Sequence, residues 1–304
     1  MSSLGLQSSY AFCHQLMRKA ARNFYYGMRL LPEAKRNAMY ALYGFMRVCD
    51  DLADDPVVPT DGTPQEGEIT PADHRRQLLE SWRRETHAAI DRPIASHPIW
   101  PAFHDMVRRF QIPRQVFDDA IDGQLQDLEL SVYRTFNELY RYCYRVASTV
   151  GIAAVHIWGF RHERALALAE HRGIAMQLTN IVRDIREDAA RGRQYIPDED
   201  FDRFGLTLQQ ISNPEHRERF DALLKFETAR AAEYYARSAE LDDLIMPDAR
   251  ATLQIMTGIY HRILDRIREN PQLVLIRRVS LSTVEKLTLV ARHAWRAHVA
   301  RLDA

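Results

Sequence analysis

Apolar and polar positions alternate at helical spacing along almost all of the 304-residue chain. Segments 35–55, 73–90, 100–110, 114–129, 134–158, 162–190, 207–212, 215–241, 247–269 and 281–302 each read as helix, with Gly or Pro clusters between several of them. Strand-type alternation is scarce, so the pattern predicts an all-α chain. The stretch PVVPTDGTPQEGEITPA at 56–72 is the clearest loop, and GRQYIPDEDFDRFG at 192–205 is the second. No repeat period or compositional shift marks a boundary, so residues 1–304 are expected to form one helical domain.

Two of these helices carry acids where an apolar stripe should continue. Along 35–55 the stripe is Met39, Leu42, Tyr43 and Met46, and four-residue steps extend it to Asp50 and Asp54. Those carboxylates therefore lie on the buried side, where an ionised acid is costly unless a cation or strong donor is near. Along 162–190 a polar line of Gly173, Gln177, Asn180, Asp184 and Asp188 runs beside an apolar stripe of Ile174, Leu178, Ile181 and Ile185. Spacing of four residues stacks Asn180, Asp184 and Asp188 on one face over roughly 12 Å. A polar line beside a buried stripe predicts the wall of a cavity. One acid pair alone reads as a solvated face laced with Arg183, Arg186 and Arg191, but two such lines in one helical chain point to a site. Hard oxygen ligands without His or Cys suit Mg²⁺, with Mn²⁺ as a substitute, held jointly with substrate phosphates. The implied ligand is a diphosphate.

Composition narrows the partners. Forty-one basic side chains balance forty-one acidic ones, so no global field favours nucleic acid or an anionic membrane, and such a partner would need a local patch. Cys13, Cys49 and Cys143 are odd in number and lack metal-type spacing, as reduced thiols in a cytoplasm would. The N-terminus lacks signal-peptide character, and the longest apolar stretch, VGIAAVHIWGF, is too short to span a bilayer. A cytoplasmic protein is expected, with peripheral membrane contact through a surface patch left open. There is no Gly-rich phosphate loop, dinucleotide fingerprint, H-E-x-x-H or G-x-S-x-G. The twelve histidines are scattered, and His156 reads as a core residue.

Five blocks in order give these features a family likeness: NFYYGMRLLP at 23–32, YALYGFMRVCDDLAD at 40–54, YCYRVASTVG at 142–151, AMQLTNIVRDIREDAARGRQYIP at 175–197, and GIYHRIL with RRVSLS nearer the end. The chain resembles the squalene and phytoene synthase family of head-to-head prenyltransferases over most of its length. The wording of 23–32 and 175–197 is most similar to the bacterial branch that makes presqualene diphosphate for hopanoids. The resemblance implies a helical bundle of the isoprenoid synthase type around a central cavity. It makes Asp50, Asp54, Asn180, Asp184 and Asp188 the Mg²⁺ ligands, opposed across that cavity. It places Tyr43, Arg47, Gln177, Arg183, Tyr260 and Arg278 on the diphosphates, Tyr142 near the reacting carbons and Phe24 in an aromatic wall. Ala20 and Asn23 depart from the His and Ser that relatives often carry just before the first aromatic.

The implied reaction joins two farnesyl diphosphates to presqualene diphosphate. Ionisation leaves an allylic cation, the 2,3 double bond of the second substrate attacks it, and loss of a proton closes a cyclopropane; Tyr142 and the released diphosphate are both candidate proton acceptors. The alternatives are a phytoene synthase condensing two geranylgeranyl diphosphates and a non-enzymatic helical scaffold. A one-chain cyclase or head-to-tail synthase ranks below these, because the second motif lacks the Ser and Glu of a cyclase. No stretch is assignable to NADPH, which is not expected, and no hydrophobic C-terminal anchor of the eukaryotic squalene synthase kind is present. The expected partners are prenyl diphosphates and downstream isoprenoid-pathway enzymes, not nucleic acid.

Overall fold

Burying the apolar stripes turns nearly every predicted segment into an α-helix. The computed structural model describes residues 3–20, 25, 27–54, 70–129 and 131–302. The helices are α1 (Ser3–Ala20), α2 (Glu33–Ala53), α3 (Pro71–Asp91), α4 (Trp100–Phe110), α5 (Arg114–Glu129), α6 (Phe136–Cys143), α7 (Thr149–Trp158), α8 (Arg164–Ala190), α9 (Asp198–Arg203), α10 (Arg217–Arg237), α11 (Leu241–Leu244), α12 (Pro247–Glu269), α13 (Leu273–Ile276) and α14 (Thr283–Leu302). A π-helical turn, Tyr144–Ser148, joins α6 to α7. Among the described residues the only strand-like pairings are the isolated bridges Val132–Gln194 and Phe160–Ile245. The all-α expectation therefore holds.

The differences from the sequence pattern have local causes. Helix α1 escapes that pattern because its inward line is Ser9, Cys13 and Met17, a weak apolar signal. Ser9 fits there by donating from Oγ to the Pro98 carbonyl at 2.6 Å and accepting from the Ala102 amide at 2.9 Å. The 192–205 loop contains the short helix α9, and the 207–212 helix shrinks to a 3-10 turn at Leu208–Gln210. Residues 55–69, most of the other expected loop, lie outside the described residues. Thr70 closes it by capping α3, accepting from the Asp73 amide at 3.1 Å.

Two apolar clusters fill the interior. One gathers α1 to α5 with α7 around Phe45, Trp82, Trp100, Phe103 and Phe117. The other gathers α6, α10, α12 and α14 around Phe220, Leu224, Ile255 and Ile263. Helix α8 belongs to both, through Ala165 and Leu168 at its start and Leu178 to Ile185 further on. The π turn is wedged between α5 and α8, and glycines make room on each side. A Cβ on Gly173 would sit 2.5 Å from Ser148 Cα, and one on Gly123 would sit 2.8 Å from a Val146 methyl. This close approach sets Tyr142, α5 and the polar line of α8 beside one another.

Two arginines, Arg172 buried and Arg230 partly so, fasten the second cluster. Arg172 donates to the Ser238 hydroxyl and carbonyl at 2.9 and 2.8 Å, tying α8 to the end of α10. Arg230 pairs with Asp200 at 2.7 Å and Glu227 at 2.9 Å while lying 4.2 Å over the Phe136 ring. Removing either arginine would strand buried acceptors, which is more costly than the net worth of the pairs. All three cysteines are buried and free, as reduced thiols require.

Candidate active site

The first acid line rides on α2. Its core side is Ala38, Met39, Leu42 and Phe45; Tyr43 and Asp50 lie along the border of that face, whereas Arg47 and Asp54, the latter just past the last helical residue, are exposed, so of the two carboxylates expected on the buried side only Asp50 is there. Asp50 Oδ1 accepts from Gln124 Nε2 of α5 at 2.9 Å. Burial pushes the Asp50 carboxyl up to about 6, with the Asp54 and Asp51 charges adding to the rise and Arg47 opposing it. A carboxylate held this way favours an added positive charge. Arg47 is paired one turn on with Asp51, an exposed contact of the kind that contributes only about 0.3–0.5 kcal/mol, so an incoming anion can take the guanidinium. Tyr43 is half-buried beside Arg47 and Asp50, and burial raises its phenol. Asp54 ends the helix, its amide bonded to the Asp50 carbonyl at 2.9 Å.

The second line rides on α8 and is more crowded. Asn180 Nδ2 donates to Gln177 Oε1 at 3.2 Å, while Asn180 Oδ1 is buried with no hydrogen-bond partner. Arg183 grips Asp184 through both carboxylate oxygens at 2.8 and 2.5 Å. Arg278 reaches the same carboxylate from the α13–α14 connection at 3.0 and 3.1 Å. The end of α13, just before that connection, is anchored by Arg186, which donates to the Leu275 and Ile276 carbonyls at 3.0 and 2.7 Å. Burial raises the Tyr260 phenol of α12, which lies against Arg183 and Asn180. Burial and the Asp184 charge push Asp188 up to about 6, against Arg193 and Arg191. Gln177, Asn180, Arg183, Asp184, Tyr260 and Arg278 thus form one cluster.

Between the lines stands a residue that the sequence pattern does not single out. Asp127 of α5 accepts from Tyr142 Oη at 2.9 Å and from Tyr195 Oη at 3.2 Å. Burial raises its carboxyl, and the charges of Arg193 and Asp54 act on it in opposite senses, the first lowering and the second raising it. Tyr195 feels both Asp127 and Asp188, so Asp127, Tyr195 and Arg193 link the α2 line to the α8 line. The Tyr142 ring stacks on Tyr195 at 5.2 Å and meets Tyr133 at 5.3 Å. Burial beside Asp127 drives the Tyr142 phenol well above its usual range, so it stays neutral near pH 7. A signal was available: along α5 the buried stripe Val116, Ala120, Gly123 continues at the next four-residue step onto Asp127.

These residues fit a hard divalent cation. An orphaned amide oxygen on Asn180 and two carboxyls raised by burial and like charge are donors in want of positive charge. Among the described residues no three acid, thiol or imidazole groups converge tightly enough to hold a metal ion unaided. Each line can therefore offer only part of a coordination shell, and phosphate oxygens would supply the rest. Phe24 and Asn23 lie outside the described residues, and of Ala20 only the backbone is described.

The phytoene synthase of Mycobacterium tuberculosis is 37% identical over 291 residues, spanning 94% of this chain and 90% of its own length. The 15-cis-phytoene synthase of Synechococcus elongatus is 34% identical over 301 residues, spanning 93% and 91%. A crystal structure of a dehydrosqualene synthase in complex with a ligand superposes with a TM-score of 0.80 at 27% identity, covering 97% of this chain and 98% of that one. The squalene synthase HpnC from Alicyclobacillus acidocaldarius gives 0.76 at 25% identity, covering 88% and 96%. The model of the squalene/phytoene synthase family matches residues 17–285, and on that match the chain belongs to this family of prenyltransferase-type enzymes.

Proposed function

We propose that the protein joins two geranylgeranyl diphosphates head to head on the way to phytoene. The observation that carries this reading is the 37% identity, across 94% of the chain, with a phytoene synthase. It replaces the farnesyl-based reading of the sequence motifs as the first choice. The condensation of two farnesyl diphosphates to presqualene diphosphate stays as a second reading, favoured by the likeness to HpnC at 25% identity.

In either case Asp50, Asp54, Asn180, Asp184 and Asp188 are the residues that would hold Mg²⁺. When bound, Mg²⁺ supplies Lewis-acid charge that draws electrons onto the diphosphate as the allylic C–O bond breaks. Arg47, Arg183 and Arg278 are the cations placed to receive phosphate oxygens, and Gln177 and Tyr260 set the positions of Asn180 and Arg183. The tyrosine cluster of Tyr133, Tyr142 and Tyr195 offers ring faces, which tolerate a developing cation and help keep water away. Tyr142 can accept a proton on its oxygen only as its own passes along the 2.9 Å bond to Asp127. The pair therefore serves as one proton-holding unit. Downstream enzymes of isoprenoid metabolism are the expected consumers of the product.

Incubation with Mg²⁺ and either geranylgeranyl or farnesyl diphosphate, followed by mass spectrometry, tests the proposal. Phytoene from the C20 substrate is expected. Turnover of farnesyl diphosphate alone, giving presqualene diphosphate, would install the second reading, and inertness toward both would refute each.

A further inference from the structure

Helix α14 lies almost wholly beyond residue 285, where the family match ends, and it is apolar on two opposite sides. Its inner side packs on α12: Leu289 is buried and meets Gly258 so closely that a Cβ there would sit 3.3 Å from a leucine methyl. On the same side His293 bonds Gln254 at 3.1 Å. The outer side presents Val284, Leu287, Ala291 and Trp295, which at 100° per residue fall within an arc of roughly 80°. Val284 is 73% exposed, Leu287 45% and Trp295 69%, and Ile276, just upstream, is 69% exposed. Among the described residues the only other exposed large apolar side chains are Val132 and Met246, so a line of them on one helix face needs a partner.

Charge identifies that partner. The chain as a whole is neutral, yet residues 271–302 hold six Arg or Lys against a single Glu, and five remain when Arg278 is set aside with Asp184. Arg277 and Arg292 are exposed, and Glu285 is occupied by Arg266. A two-fold pairing of this face with a second copy would bring like charges together. An anionic lipid surface complements them, and an exposed tryptophan beside arginines suits the boundary between headgroups and acyl chains. Among the described residues no helix is long and apolar enough to cross a membrane, so the contact is peripheral. We infer that the outer face of α14, with Ile276 and Arg277, docks the protein on an anionic bilayer. Ile276 ends α13, and the connection that follows it with Arg277 also sends Arg278 to Asp184, so docking would place the acid cluster near the membrane. The inference stands whichever prenyl diphosphate is the substrate.

The test is co-sedimentation of the full chain with phosphatidylcholine vesicles with or without phosphatidylglycerol, at low and high salt. Wild type should pellet with the anionic vesicles, and added salt should release it. Val284→Ser/Leu287→Ser/Trp295→Ser and, separately, Arg277→Gln/Arg292→Gln should each weaken partitioning by about tenfold or more. Because these side chains are exposed, melting temperature and turnover of dispersed substrate should not change. Failure of wild type to pellet, or wild-type pelleting by both variants, would overturn the inference. A dimer in light scattering that the serine variant splits, with no vesicle binding, would overturn it in favour of self-association. No substrate is needed for the vesicle assay, so its failure is distinct from failure of the product assay.

Discussion

Replacing Asp50 by asparagine should stabilise the chelator-treated protein while abolishing its turnover. The carboxyl is raised from 3.8 to about 6 by burial and by its acidic neighbours. At 1.36 kcal/mol per unit, that shift is about 3 kcal/mol of unfavourable energy for the ionised form. The amide removes the charge but keeps an oxygen in place, so the 2.9 Å bond from Gln124 survives. Loss of the attraction to Arg47 takes back part of the gain, leaving a net stabilisation of about 1–2 kcal/mol, or about 2–4 °C in melting temperature for a chain of this size. The sign with pH follows from the direction of the shift. A carboxyl raised above its unfolded value binds its proton more tightly when folded, so its cost is absent below about pH 4 and fully present above about pH 6. The gain from Asp50→Asn should therefore be small at pH 4, grow toward pH 6 and then level off. Differential scanning calorimetry across pH 4–8 measures it, beside a turnover assay at saturating Mg²⁺. A variant that melts below wild type at pH 8, or a gain indifferent to pH, would refute the electrostatic account. Undiminished turnover would remove Asp50 from the metal site.

Two more predictions address the scaffold and the reacting end. Tyr142→Phe keeps the stacking on Tyr195 but deletes the hydroxyl bonded to Asp127, so kcat should fall about a hundredfold with little change in substrate affinity. Unchanged steady-state kinetics and product would leave Tyr142 as wall only. Gly173→Ala drives a methyl into the Ser148 backbone, which cannot yield as a flexible side chain would, and should cost about 1–3 kcal/mol in urea unfolding. Wild-type stability there would mean that the π turn is not pressed against α8.

Legibility of the site in the sequence depends on whether a residue sits on a strongly periodic helix. Asp50 and Asp54 extend the stripe of α2, and Asn180, Asp184 and Asp188 repeat every fourth residue of α8, so periodicity alone makes these acids stand out. Asp127 obeys the same rule, but α5 also carries Asp118, Asp119 and Asp122, and a helix dense in acids reads as a solvated face. Arg193 and Tyr195 come from a connection with no period at all, and only its folding beside α8 makes them part of the site. Helix α1 goes unseen because serine and cysteine fill inward positions there that apolar patterning does not register. The choice between C15 and C20 chains is illegible for another reason: the acids and arginines proposed to hold the diphosphate would meet a group that both candidate substrates share.

That shared recognition has a thermodynamic consequence. Both oxygens of Asp184 are held by Arg183 and Arg278, the same guanidinium groups expected on the diphosphate. A cation arriving at Asp184 must compete with those arginines, and a diphosphate arriving at the arginines must compete with Asp184. Binding of either one releases the partner that the other needs, so the two should bind with positive coupling, each raising the affinity of the other by the same factor. Couplings of this type run to about 1–3 kcal/mol, so inorganic diphosphate should tighten Mg²⁺ binding by about tenfold or more in isothermal titration, after correction for complexes formed in solution. Arg278→Gln should lose part of that coupling, because it frees Asp184 in advance and strengthens Mg²⁺ binding in the absence of diphosphate. Independent binding of the two ligands, or a coupling untouched by the substitution, would show that the Arg278–Asp184 pair is a surface contact and not the latch between metal and substrate.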